Sequence, residues 1–194
     1  MLISPNSLFI LLISIIIFNF IKDSFLDYLN SKHFKNKIPK IISDVYNKSK
    51  YLKSQEYKKT QYEFSKFSRI FSLITILLFF YLDGFLIIDN LLRNYFESSI
   101  LISLFFFGII FFASEILNFP FSIYFTFVIE EKYGFNKTNL KTFITDKLKS
   151  WGLTILFGGS ILSFIIFQFE MIGNKFWIIA WIFISGLSII INGL

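Results

Sequence analysis

Five apolar stretches, each long enough to cross a bilayer, leave this chain little room to fold as a water-soluble globule. A crossing takes roughly 20 apolar residues. The stretches run near Leu2–Ile21, Ile70–Ile88, Ile100–Ile129, Gly152–Phe169 and Phe176–Ile191. The first lacks the basic start, the short apolar run and the small-x-small cleavage site of a secretory signal. The second contains Asp83, so it tests the insertion argument. Its fourteen Leu, Ile and Phe residues favour insertion by roughly 4–8 kcal/mol in total. One acid costs about 2.5–3.5 kcal/mol at mid-membrane and less near the end of a span, where Asp83 falls. A hydrophobic content of 55% and a mean hydropathy of +0.64 agree. The expected fold is all-α: a polytopic membrane protein with about five transmembrane helices and a helical cytoplasmic loop.

Basic residues set the expected orientation. Lys22–Arg69 holds twelve Lys and Arg against five acids, and Glu130–Ser150 holds five Lys against three. The alternate connections carry only Arg93 and Lys175. The positive-inside rule puts both basic loops in the cytoplasm, with the amino terminus outside and the carboxyl end at the cytoplasmic face. A bacterial inner membrane or the endoplasmic reticulum would satisfy this. The net charge of +6 comes without a nucleic-acid recognition motif and beside membrane spans. It therefore reads as a topology signal touching anionic lipid, and no nucleic-acid partner is expected. Without cysteine, disulfide and thiolate chemistry are excluded. The 29 Phe accompany other residues with AT-rich codons, so no aromatic stripe is given a meaning by itself.

The large loop reads as mostly helical after Pro39. Tyr57, Gln61, Phe64, Phe67 and Phe71 keep helical spacing into the second span. Such a helix either lies on lipid headgroups or packs beneath a cytoplasmic domain. The third span is the anomaly. Its thirty residues make about 45 Å, against a hydrocarbon core of roughly 30 Å. It must tilt, bend or protrude, and Pro120 supplies a kink site. Ser114, Asn118, Ser122, Thr126 and Glu130 recur every four residues, with Glu115 beside the first. Lipid is a poor neighbour for that face. The hydroxyls alone suit helix–helix hydrogen bonds, whereas Glu115 and Asn118 point to a hydrated interior surface. Gly134 then reads as a helix stop, and Thr138 or Asn139 as the next cap. The following helix is expected to bury Leu140, Phe143, Ile144 and Leu148, with Lys147 and Lys149 near its carboxyl end. Two glycosylation-type triplets, at Asn47 and Asn136, fall on the cytoplasmic side and carry no expectation.

The stretch LNFPFSIYFTFVIEEKYGFNKTNLKTFITDKLKS resembles the hallmark membrane segment of the type I CAAX prenyl endopeptidases. These are multi-pass zinc metalloproteases that also process non-prenylated substrates. The family pattern is Leu-Pro-Phe-x-x-Tyr-x-x-Phe-x-Ile-Glu-Glu, then Gly-Phe-Asn-Lys, a Thr-Leu and a later Asp. It falls on Phe119, Pro120, Phe121, Tyr124, Phe127, Ile129, Glu130 and Glu131, then Gly134, Phe135, Asn136, Lys137, Asn139, Leu140 and Asp146. Phe119 replaces the Leu and Asn139 the Thr. Upstream, Tyr51, Ser54, Gln55 and Tyr57 are similar to the family's segment before its second span. The resemblance implies a hydrated chamber within the helices. Ser114, Glu115, Asn118, Ser122, Thr126, Glu130 and Glu131 would line it or brace its rim. Pro120, Phe121, Tyr124, Gly134, Phe135, Asn136 and Asp146 would be structural motif residues.

The departure from the family is as informative. Its catalytic helix carries His-Glu-x-x-His, in which two His one turn apart meet one zinc and the Glu activates water. Here His33 is the single histidine, and Phe-Lys-Asn follows it. The expectation is an amino-terminal membrane domain over residues 1–194 with the catalytic metallopeptidase domain absent. No catalytic or metal residue and no cofactor are expected in this chain, and zinc is expected only for the complete enzyme. The chain would be a truncated or split-gene product, inactive alone. Its expected partners are the lipid bilayer, a peptide or prenylated-protein substrate and, for a split gene, a separately encoded metallopeptidase domain. The alternative is a non-catalytic scaffold or substrate-holding subunit. A small transporter is disfavoured because the chain lacks paired broken helices.

Overall fold

The protein is seen here in a computed structural model that describes residues 4–34, 38 and 47–193. Among these residues every regular element is helical. Helix α1 (Pro5–Ser31) starts where Ser4 accepts the Ser7 N–H at 3.1 Å and Pro5 presets the first turn. It continues well beyond Ile21. Helix α2 (Lys48–Tyr81) is capped by Asn47, which accepts the Ser49 N–H at 2.9 Å. Phe9 meets Phe80 at 5.9 Å and Asp27 pairs with Arg69, so α1 and α2 run side by side in opposite directions. Of the helix expected after Pro39, the part from Lys48 onward is present; residues 39–46 lie outside the described set.

The second span ends earlier than its apolar run. Expected to continue through Ile88, it stops at Tyr81. Asp83 takes a left-handed φ of 53°, a conformation Asp tolerates better than most side chains. A Cβ on Gly84 would run into the Phe79 ring, so glycine is what lets the chain turn there. Asp83 is therefore a turn residue, not one inside a span. The short helix α3 (Gly84–Arg93) follows, closed by an Arg93–Asp89 pair at 2.7 Å. That carboxylate holds the Arg93 guanidinium above its ordinary pKa by hydrogen bond and charge.

Helix α4 (Ser99–Tyr124) contains Pro120 and continues as a π-helical turn, Phe125–Glu130, into α5 (Glu131–Tyr133). The continuous run Ser99–Tyr133 has 35 residues, about 52 Å at the usual rise and longer than a bilayer core. Proline cannot donate to its carbonyl four residues back, and the ladder changes register just past it. Asn139, not Thr138, caps α6 (Leu140–Leu153) by accepting the Thr142 N–H at 2.9 Å.

α6 corrects an expectation. Leu140, Ile144 and Leu148 are exposed, and Phe143 is only half-buried. The face that packs is Phe143, Lys147 and Trp151, because Lys147 and Trp151 both reach Glu115. α6 then passes through a π turn, Thr154–Gly158, directly into α7 (Gly159–Ile172). A 3₁₀ turn at Gly173–Lys175 leads to α8 (Phe176–Gly193). Phe164 and Phe183 meet at 4.5 Å, although one straight helix would hold them about 28 Å apart. α7 and α8 are thus a hairpin.

Two compact units organise these elements. One comprises Met1–Phe85 with Asn118–Lys137, the other Leu86–Leu117 with Thr138–Leu194. Among the described residues, the buried apolar side chains are Leu92, Ile102, Ile129, Tyr133 and Ala180, and Gln55 is the buried polar one. Phe18, Ile116, Trp181 and Ile182 point outward. In water such continuous apolar surface would be an aggregation liability; in a bilayer it is the coat that meets lipid. The chain is an all-helical, multi-pass membrane protein.

Candidate functional site

The first unit contains the end of the long Ser99–Tyr133 helix and the hook that follows. Gly134 takes φ 70° and ψ 27° at the end of α5. Its N–H donates to the Glu131 carbonyl at 2.9 Å, and the Phe135 N–H donates to the Glu130 carbonyl at 2.9 Å. This is the Schellman pattern, which satisfies helix carbonyls that would otherwise lack donors. Asn136 Nδ2 donates to Glu131 Oε2 at 2.8 Å, fastening the hook to the helix it leaves.

The hook is anchored on α2 through Tyr133. That side chain is buried, and its hydroxyl lies 2.7 Å from Thr60 Oγ1 and donates to the Glu56 carbonyl at 3.3 Å. Tyr57 packs edge-on to Tyr133 at 5.4 Å and against Phe135 at 4.7 Å. Further along, Phe64 stacks on Tyr124 at 5.4 Å, and Phe71 meets Phe121 at 4.9 Å. Pro120, Phe121 and Tyr124 join Thr60, Glu63, Phe64, Phe67 and Ile129 around an open groove of about 520 Å³. The aromatic stripe of α2 is therefore packed against protein through Tyr57, Phe64 and Phe71. Tyr133 and Thr60 were missed as site residues in the sequence. The matching Tyr57 upstream was the available signal, but nothing in sequence alone pairs positions so far apart.

The second unit holds Ser114 and Glu115. Glu115 Oε2 accepts from Lys147 Nζ at 3.0 Å and from Trp151 Nε1 at 2.9 Å. Trp151 also lies edge-on to Phe112 at 5.6 Å. An acid at this depth of an apolar helix is costly unless paired, and α6 supplies the cation and a second donor. Asp146 sits elsewhere on α6, exposed, 3.7 Å from Lys149 and on the rim of a shallow depression. It makes no contribution to the Glu115 cluster.

The polar file is thus divided. Ser114 and Glu115 belong to one unit, and Asn118, Ser122, Thr126 and Glu130 to the other. Ser122 Oγ donates to the Asn118 carbonyl at 3.2 Å within its own helix, a local bond that relieves a hydroxyl in an apolar setting. Asn118, Thr126 and Glu130 are half-buried, while Ser114 and Glu131 are exposed. His33 donates through Nδ1 to the Leu29 carbonyl at 2.9 Å. No group of three or more His, Asp or Glu among the described residues could hold a metal. With one histidine and no cysteine in the whole chain, a His-His-Glu zinc set does not fit these residues.

Known proteins resemble this arrangement closely. A family model described as the CAAX prenyl protease N-terminal region, with five membrane helices, matches residues 27–194. A CAAX prenyl protease 1 homolog of Dictyostelium discoideum is 32% identical over 189 residues, covering 94% of this chain and 44% of that protein. CAAX prenyl protease 1 of Saccharomyces cerevisiae is 30% identical over 173 residues, covering 82% and 38%. The crystal structure of S. mikatae Ste24p matches with a TM-score of 0.84 at 31% identity, across 96% of this chain and 45% of that one. The chain spans less than half the length of each of these relatives.

Proposed function

This chain belongs to the CAAX prenyl protease family, and on that premise we propose that it forms the membrane region of a CAAX-type zinc metalloendopeptidase and does not hydrolyse peptides by itself. The supporting observation is the hook from Glu130 to Asn136, closed by a Schellman turn and anchored on α2 through buried Tyr133. A rim built this way is rigid enough to position a protein domain or an incoming peptide. Zinc and the hydrolytic residues come from outside this region, since the donors present here do not make a site. The substrate is a peptide or prenylated protein.

The polar file supplies wet surface in each unit by itself: Asn118, Ser122 and Thr126 as chamber wall with Glu130 and Glu131 at its rim in the first, and Ser114 and Glu115 as wall residues in the second. Pro120, Phe121, Tyr124, Gly134, Phe135 and Asn136 keep the wall of the first unit in shape, and Asp146 is the motif residue that lies apart from it. The basic loops lie in the cytoplasm, the amino terminus outside. A cysteine-free background makes this orientation easy to read. Ser54→Cys should be shielded from an impermeant maleimide in sealed, right-side-out vesicles, and Asn174→Cys should be labelled. The reverse pattern would invert the assignment.

The functional experiment is reconstitution. The purified chain should hold no stoichiometric zinc and cleave no farnesylated CAAX peptide. Combined in one membrane with the metallopeptidase half of the Dictyostelium relative, it should yield chelator-sensitive cleavage, reduced by the charge reversal Glu130→Lys. Chelator-sensitive cleavage by the purified chain alone would overturn the reading.

A further inference from the structure

A second cavity, of about 520 Å³, opens in the first unit between the carboxyl end of α1 and the first half of α2. It shares only α2 with the hook, and no residue lining it belongs to the polar file. Its position follows from the chain. The apolar run of α1 ends at Ile21 and that of α2 begins at Ile70. Asp27 and Ser65, both in the lining, therefore sit about 8–9 Å beyond the apolar runs, at the depth of lipid headgroups.

The charge of the lining is specific. Asp27 is already paired with Arg69, so its carboxylate is neutralised within the unit. What remains is the Lys58 ammonium, exposed at the mouth, and the His33 ring, whose Nδ1 is committed to the Leu29 carbonyl and leaves Nε2 open. Around them stand groups able to donate hydrogen bonds, the amides of Asn30 and Gln61 and the Tyr62 hydroxyl. Gln55, the buried polar side chain among the described residues, is also in this wall. Phe34 and Tyr62, edge-on at 6.2 Å, form an apolar side. One uncompensated cation, several neutral donors and an apolar wall suit a phosphate, and the Asp27 and Ser65 end of the cavity, nearest the apolar runs, is where its remaining substituents would reach the membrane interface.

We propose that this cavity binds a phosphate group, with Lys58 as its charge partner. The source chemistry is either the headgroup of an anionic membrane lipid or free inorganic phosphate. The site is independent of proteolysis and of the family assignment.

Native mass spectrometry of the purified full chain tests it in two arms. In one, micelles carry equal amounts of dioleoyl phosphatidic acid and dioleoyl phosphatidylcholine; in the other, inorganic phosphate is titrated in their absence. Lys58→Gln is compared with Lys59→Gln, which removes an equal charge from an adjacent exposed residue outside the cavity lining. The wild-type chain should retain phosphatidic acid, inorganic phosphate or both. Lys58→Gln should lower the retained ligand about tenfold, the effect of losing one charge-assisted contact to the phosphate inside the cavity, and Lys59→Gln, outside the lining, should not. Retention in the lipid arm alone identifies a headgroup as the source, and saturable retention of inorganic phosphate identifies the free ion. Retention in neither arm, or an equal loss in the two variants, would overturn the proposal. Both lysines are exposed, so neither variant threatens the fold.

Discussion

Tyr133 and Thr60, 73 positions apart, share a 2.7 Å hydroxyl contact that fixes the end of the long Ser99–Tyr133 helix to the first half of α2. Because Tyr133 also donates to the Glu56 carbonyl, Thr60 donates and Tyr133 accepts in the shared bond. Tyr133→Phe removes both bonds and should cost about 1–2 kcal/mol. Thr60→Ala leaves the Glu56 bond in place and should cost less. Thermal unfolding in a fixed detergent measures both, and the order of the two variants is the check.

Gly134 and Gly84 should fail for different reasons. At Gly134 a Cβ would meet only Lys53 Nζ at 3.6 Å, an ordinary contact. The cost of Gly134→Ala is therefore that of left-handed backbone, about 1–2 kcal/mol. At Gly84 the added Cβ meets the Phe79 ring itself. Gly84→Ala should be rescued in part by Phe79→Leu, and Gly134→Ala should gain nothing from Lys53→Ala. Unfolding midpoints of the four variants and two doubles decide this.

The Glu115 cluster should be strongly coupled. Both side chains of the Glu115–Lys147 pair are under one-third exposed, and removal of one partner strands a charge in an apolar environment. Glu115→Gln and Lys147→Gln should each cost about 1.5–3 kcal/mol. The double variant should cost less than their sum. Additive losses in a double-mutant cycle would show that the pair is not coupled.

Asn139 offers the mildest test. Asn139→Ala should destabilise α6 by about 1 kcal/mol, and Asn139→Ser should recover most of it, because either side-chain oxygen can accept the Thr142 N–H. Circular dichroism during thermal unfolding reads the difference.

Much of the fold was legible because bilayer insertion is decided by local composition. The apolar runs, the Gly134 stop and the cap at Asn139 each depend on a few neighbouring residues. The break at Asp83 was not legible, because apolar residues continue on both sides of it and only the Phe79 ring makes Gly84 necessary. The packed face of α6 was misread for a related reason. Leu140, Ile144 and Leu148 look like a buried stripe, but Lys147 and Trp151 turn inward to an acid 32 and 36 positions away. Tyr133 carried no local mark of its role. For the candidate site, the polar spacing was visible, whereas its division between two units was not.

So few side chains are enclosed among the described residues that most apolar positions there demand greasiness rather than a particular shape. Exchange among Leu, Ile, Val and Phe can proceed there at little cost, while Tyr133, Gly134 and Gly84 are pinned by contacts or backbone angle. Evolutionary drift in such a molecule should be sharply polarised, fast over the lipid-facing coat and nearly frozen at a handful of turns and clasps.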